Sequence, residues 1–146
     1  MFRFGLQPVL NFRKRREEEK QKELAAVNAE HRKIVAELLA LSADREAKST
    51  ELNGLLARPT DVMTLRLYSN FLIWRDVDVE LKKKELGESG GRMRKKQGEL
   101  RECVRRKRML EVLRERRLAA HVREERLRER ILMDEIAANI WFKEGP

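Results

Sequence analysis

The side chains best equipped for chemistry are His31, His121, Cys103 and the acidic pair Glu124 and Glu125, and their spacing argues against a catalytic or metal centre. A zinc site gathers three or four His, Cys or carboxylate ligands, commonly in close pairs along the chain. Here the two histidines stand far apart and neither is near a cysteine pair. His31 falls on an apolar helical seam and reads as a partly buried polar spacer. Cys103 shares that seam and reads as a small core residue, because a thiol nucleophile needs a neighbouring base. A single cysteine cannot close an internal disulfide and suits a reducing compartment. The run Gly87-Glu-Ser-Gly-Gly91 lacks both the lysine and the strand-to-helix setting of a phosphate-binding loop. Glu124 and Glu125 lie on an exposed helix with no pocket to shift their ionisation. No enzyme activity, cofactor, metal or small-molecule substrate is expected.

Charge is the more informative signal. The chain carries a net charge of +9 with pI near 10.0, and from Arg92 to Arg130 sixteen Lys/Arg stand against seven Glu, a local surplus equal to the whole. Such a balance points to an acidic partner: a protein face, nucleic acid or an anionic membrane surface. Arg92-Met-Arg-Lys-Lys96 and Arg105-Arg-Lys-Arg108 could cradle phosphates as a basic-region helix does on DNA. Aromatic residues for base stacking are not interleaved with them, and Glu–Arg pairs within the helix also account for a solvated charged face. An acidic protein surface therefore ranks above nucleic acid.

These residues must be positioned by long helices. Charged residues make up 40% of the 146, aromatics 5%, with only 7 Gly and 3 Pro. That composition cannot build a thick core, but it suits helices joined along a narrow seam. A 3-4 spacing runs from Leu6 through Leu24, Val27, His31, Ile34, Leu38 and Leu41 to Leu55, the pattern of a coiled coil. It stops at Arg58-Pro-Thr-Asp61, where Pro59 turns Arg58 away from helix and Thr60 or Asp61 can cap the next helix. A second seam runs from Leu65, Tyr68 and Leu72 through Val79, Leu86, Met93, Leu100 and Cys103 to Leu110, with a stammer before Leu113. The spacing predicts an all-α fold: one domain over 1–146, an antiparallel coiled-coil hairpin with helix one over about 6–57, a turn over about 58–62 and helix two over about 63–142. Gly87, Gly90, Gly91 and Gly98 each cost roughly 1 kcal/mol against Ala; the preserved seam phase predicts a continuous but soft helix through them.

In a hairpin centred near Thr60, facing residues should have numbers summing to about 121, so residues beyond about Arg116 lack a partner and overhang by ~40 Å at 1.5 Å per residue. The overhang keeps an apolar stripe of Leu127, Ile131, Ala138 and Trp141, with Phe142 beside it. Such a face needs cover, and another protein is the simplest source. A second copy of the chain is the competing one. Near the turn, Tyr68 belongs to the seam, whereas Phe71 and Trp74 lean to its flank and fit either local packing or a partner site. No apolar run approaches a membrane span, and the start Met1-Phe-Arg-Phe-Gly-Leu-Gln-Pro-Val-Leu10 lacks the apolar core of a secretory signal. A cytoplasmic location, against the membrane or free of it, is the expectation.

The opening Phe2-Arg-Phe4, with Leu6-Gln-Pro-Val-Leu10 leading into Arg13-Lys-Arg-Arg-Glu-Glu, resembles the start of FliJ-family flagellar proteins. So do Tyr68-Ser-Asn-Phe71-Leu72 after the turn, Arg105-Arg-Lys107 followed by Leu110-Glu111, and Met133-Asp-Glu-Ile-Ala137 near the end. The resemblance spans nearly the whole chain and rests on the order and spacing of these motifs. It implies a stalk of the flagellar type III export apparatus, similar to the central stalk of rotary ATPases. Such a stalk binds the export ATPase hexamer, promotes its assembly and activity, and contacts the export gate membrane protein and export chaperones at the inner face of the cell membrane. Carried onto this chain, the ATPase-facing residues are Phe2, Phe4, Leu6, Arg13, Arg16, Arg105, Arg106, Lys107, Met133, Asp134, Glu135, Ile136 and Ala137. The gate-facing residues are Tyr68, Phe71 and Leu72, although Arg75 and Asp78 stand where an apolar gate face would be expected. Virulence secretion stalks share the architecture; the Leu6–Leu10 opening and the Met133–Ala137 ending favour the flagellar branch.

Overall fold

The computed structural model describes residues 1–145. Two long helices pack against each other, with no strand among the described residues: α1, Gln7–Leu56 with 50 residues, and α2, Val62–Glu144 with 83. The hairpin expected from the seam spacing is the fold found. Helix α2 continues through Gly87, Gly90, Gly91 and Gly98. Continuity outlasts the glycine penalty because helix propensity is local, whereas pairing with a second helix stabilises every turn it touches.

By packing, the chain divides into two compact units. One comprises Glu19–Arg101 and contains the turn; the other comprises Met1–Glu18 with Glu102–Pro146.

In the turn unit, α1 closes with Arg58 N donating to the Leu55 carbonyl at 3.3 Å. The Thr60 hydroxyl donates to the same Leu55 carbonyl at 2.7 Å and to that of Arg58 at 3.1 Å. Thr60 therefore seals the end of the first helix instead of opening the second, satisfying a carbonyl that the final turn leaves free. Helix α2 starts when Leu65 N reaches the Asp61 carbonyl at 3.2 Å. Facing residues keep the expected register: Lys20 meets Glu99, Glu37 meets Lys82 and Glu51 meets Tyr68, each pair summing to 119. The unit has little apolar interior. Ile34 is buried and Ser89 is fully enclosed, its hydroxyl 3.1 Å from His31 Nδ1. His31 is thus a polar spacer in the seam, as its position predicts.

Charged pairs fill the remainder of that seam. Lys20 and Lys96 each contact both Glu23 and Glu99 at 2.9–3.3 Å, a closed ring of four charges. Hydrogen bonds from Lys96 and then Lys20 pull the Glu23 carboxyl down to about 2, and the same contacts raise both lysines. Toward the turn, Lys82 bridges Glu37 and Glu85 at 2.8 Å, Arg75 bridges Asp44 at 2.7 Å and Asp78 at 3.0 Å, and Arg45 meets Asp76 at 2.6 Å. Opposite charges at facing positions specify both the antiparallel direction and the register, since a slip of one turn sets like against like.

In the terminal unit the packing is more apolar. Leu10 is 1% exposed and Phe4 8%. The Phe4 carbonyl accepts from Gln7 N at 2.9 Å, so the chain turns directly into α1, with Pro8 in the first helical turn where an absent amide hydrogen is tolerated. The segment before α1 lies on α2. The Phe4 ring is 5.8 Å from the Arg117 guanidinium, and the Phe2 ring centroid is 5.6 Å from that of His121. This corrects the expected start of the overhang. Cover extends past Arg116 to His121 and Val122, because the pre-helical residues are themselves extended along α2; from Arg123 to Gly145 every residue is exposed.

Candidate partner-binding surfaces

Three surfaces could receive a partner: one in the turn unit and two in the terminal unit. Among the described residues no His, Cys, Asp or Glu grouping could hold a metal ion, and no helix is long and apolar enough to cross a membrane.

The first surface flanks the turn. Tyr68 is half-buried on the seam, its hydroxyl donating to Glu51 Oε2 at 2.9 Å and its ring 5.9 Å from the Lys48 ammonium. Glu51 is in turn held by Lys48 at 3.0 Å. Phe71 is half-buried beneath the Arg75 guanidinium, 4.9 Å from its ring centre, and Leu72 is half-buried as well. Tyr68 and Phe71 share a shallow apolar recess of about 180 Å³ with Lys48 and Leu67. Trp74 is 68% exposed and stands outside it. Spacing alone does not reveal what surrounds Trp74. Met63, Leu67, Trp74, Val77 and Leu81 are all exposed and recur in steps of four, seven, three and four, a second apolar stripe on the side of α2 turned from α1. The signal is present in the sequence, but the seam residues at the same period claim the pattern. Arg75 and Asp78, which stand out on an apolar face, are engaged with each other, and Arg75 also with Asp44. They belong to the seam, and the apolar face lies beside them.

The second surface is the terminal unit where both helices are present. Lys107 pairs with Glu17 at 2.7 Å, which raises the lysine and fixes it in the interface. Arg106 is exposed and held by Glu102 at 2.9 Å, whereas Arg105 is exposed with no acidic partner among the described residues. Arg13 is half-buried, its guanidinium 6.0 Å from the Phe12 ring, and Arg16 is exposed. Phe2 and Leu6 are half-buried and Phe4 is buried. Of the thirteen residues expected to face one partner, Phe2, Phe4, Arg106 and Lys107 therefore already have contacts within the chain.

The third surface is the uncovered end of α2. Met133 is 68% exposed and Ile136 45%, and Asp134, Glu135 and Ala137 between and beside them are exposed too. At 1.5 Å per residue, Met133 lies about 18 Å beyond His121, so the Met133–Ala137 group is not brought together with Phe2 or Phe4. Apolar side chains here occupy two opposite sides. Leu127, Ile131, Trp141 and Phe142 form one line, while Leu132, Ile136 and Ile140 fall about half a turn away at 100° per residue. Trp141 and Phe142 meet edge to face at 5.2 Å. The second line also escapes a search for a single seam.

Two long helices packed against each other, with apolar surface exposed in both units, define the class of helical hairpins. The sequence supplies the family: the chain matches the FliJ family, described as flagellar FliJ protein, over residues 2–146, and it belongs to that flagellar type III export family. Among solved structures, a YscO homologue from Chlamydia trachomatis is similar, with a TM-score of 0.52 and 18% identity over 96% of this chain and 95% of that one; at that identity the likeness concerns the fold. No curated protein matches the chain significantly.

Proposed function

We propose that the chain is a non-enzymatic stalk of the flagellar type III protein export apparatus. Its terminal unit binds the hexameric export ATPase and promotes its assembly and activity. Its turn unit contacts the cytoplasmic domain of the export gate membrane protein, and export chaperones are further partners. This places the working protein at the inner face of the cell membrane, at the flagellar base.

One observation carries the reading. The end of α2 from Arg123 onward is helical, exposed and apolar on two opposite sides. A helix with one apolar face can be covered by one neighbour, but two opposed faces need protein on both sides. The central opening of a ring offers that enclosure. Unpaired Arg105 and its exposed neighbours add contacts to an acidic surface that salt weakens, leaving the stalk free to shift as ring subunits change state with ATP. At the turn, the Met63–Leu81 stripe with the Tyr68–Phe71 recess offers the apolar anchor that a second partner needs. The gate contact then centres on Leu67, Phe71, Trp74 and Leu81, with Tyr68 and Leu72 at its edge.

The test is ATP hydrolysis by the purified cognate export ATPase at low salt, with and without the full chain. Saturable stimulation that Ile136→Asp abolishes is the expected outcome. Absence of both binding and stimulation by the unmodified chain would sink the proposal.

A further inference from the structure

On the side of α2 turned from α1, the terminal unit carries a line of arginines with no acid among them. Counted at about 100° per residue from Arg105, Arg123 falls directly in line and Arg116 and Arg130 within about 20° of it. Arg108 and Arg126 stand about 60° to one side, and no carboxylate lies within about 60° of the line between Arg105 and Arg130. Val112, Ala119 and Leu127 fill the places between them. Lys107, held by Glu17, and His121, against Phe2, fall about half a turn away, so the line faces solvent. All six arginines are exposed. Arg105, Arg116, Arg123, Arg126 and Arg130 have no acidic partner among the described residues, while Arg108 draws on Glu111 and Glu115. At 1.5 Å per residue the line is about 37 Å long.

Toward the end of α2 the same side becomes apolar. Trp141 lies at the angle of Arg105, with Leu127, Ile131 and Phe142 on one flank within about 100°. These four are 49–77% exposed. A single partner on this side must satisfy guanidinium groups spread over several turns and also cover aromatic and aliphatic side chains. A nucleic-acid backbone meets the first demand and not the second. An anionic bilayer meets both. Its headgroups pair with arginine at any spacing because lipids move laterally, and the boundary beneath them takes Trp and Phe rings. We infer that the outer face of α2 from Arg105 to Phe142 binds the surface of an anionic lipid membrane, the arginines on headgroups and Trp141 and Phe142 at the boundary below. The helix lies on the bilayer, since no helix among the described residues is long and apolar enough to cross it. The opposite line of Leu132, Ile136 and Ile140 is left for protein. Any protein that encloses α2 competes with the bilayer for the outer face. Lipid binding is thus a property of the free chain and holds whichever protein α2 later meets.

The test uses the full chain carrying Trp74→Phe, which leaves Trp141 the single tryptophan. Vesicles of phosphatidylcholine alone, or with about one third phosphatidylglycerol, are added at low salt. The anionic vesicles should carry the chain in flotation and shift Trp141 emission to the blue. The neutral vesicles should do neither, and raised salt should weaken the binding. Arg116→Gln, Arg123→Gln and Arg130→Gln together should lower the affinity on the order of a hundredfold, with circular dichroism unchanged. Arg32→Gln, Lys33→Gln and Lys84→Gln remove the same charge from exposed positions of the turn unit. That set should lower the affinity less than about threefold, since distant charges are screened. Equal loss in the two triple variants, no binding to the anionic vesicles, or binding with Trp141 emission unchanged would each overturn the inference. Tighter binding, per phosphate, to a duplex DNA oligonucleotide than to the vesicles would do the same. None of these outcomes bears on ATPase stimulation, which is measured separately.

Discussion

The turn unit and the terminal unit use the same two helices to opposite ends. In the turn unit the space between the helices is filled with charge: the Lys20–Glu23–Lys96–Glu99 ring, the Lys82 and Arg75 bridges and the enclosed His31–Ser89 pair, with Ile34 the buried apolar residue. In the terminal unit Leu10 and Phe4 are buried, while a long apolar stretch of α2 is left in water. The difference separates specificity from binding capacity. Charged seams fix register and direction, yet half-exposed pairs each contribute little to stability. Apolar faces contribute much when covered, and the terminal unit leaves a stretch of them uncovered.

Leu10→Ala offers the hardest blow to this comparison. Its side chain is 1% exposed, and truncation should destabilise the terminal unit by roughly 2–3 kcal/mol, read as a lowered thermal midpoint by circular dichroism. A change below about 0.5 kcal/mol, the range of ordinary surface substitutions, would remove the claim that this unit relies on apolar packing. Ile136→Asp should separate the two roles in the other direction. Thermal stability should stay within about 0.5 kcal/mol, as for any exposed position, while ATPase stimulation falls at least tenfold, about 1.4 kcal/mol of lost binding. Loss of both together would mean that the end of α2 is covered by its own chain.

Acid sharpens the turn-unit side. Glu23 is held near 2 by Lys96 and Lys20, below the ordinary carboxylate value of 4.5. A depressed carboxyl stabilises the folded state fully above its unfolded value and loses that contribution as pH falls, so helicity should decline between about 4.5 and 2. Glu23→Gln should flatten this part of the curve. The raised lysines act at the other extreme, their contribution fading only as pH climbs beyond 10.5. The smallest effect is expected for Tyr68→Phe, which removes one half-exposed hydrogen bond to Glu51. It should leave the thermal midpoint and the fold almost unchanged, since a solvent-exposed hydrogen bond exchanges readily with water, while a clear loss of gate binding, measured by titration calorimetry, would assign the hydroxyl to the contact.

The residues divide in the same way over what could be foreseen. Helix type, the turn at Pro59, the register near 121 and the polar role of His31 are all local consequences of spacing and of proline geometry, and a single chain displays them in full. The motifs at Phe2–Phe4, Tyr68–Leu72, Arg105–Lys107 and Met133–Ala137 were legible too, because their order along the chain suffices to suggest the family. Which of them are free to bind was not. Phe4 and Lys107 are engaged because the other arm of the hairpin happens to meet them, and Thr60 closes α1 because the turn brings its hydroxyl back to Leu55. The exposed stripe from Met63 to Leu81 shares its 3-4 period with the seam, so periodicity finds two apolar lines and cannot say which one faces α1. Only the packing of one helix on the other chooses between them, since burial depends on what lies across the gap and a sequence pattern carries no information about distance.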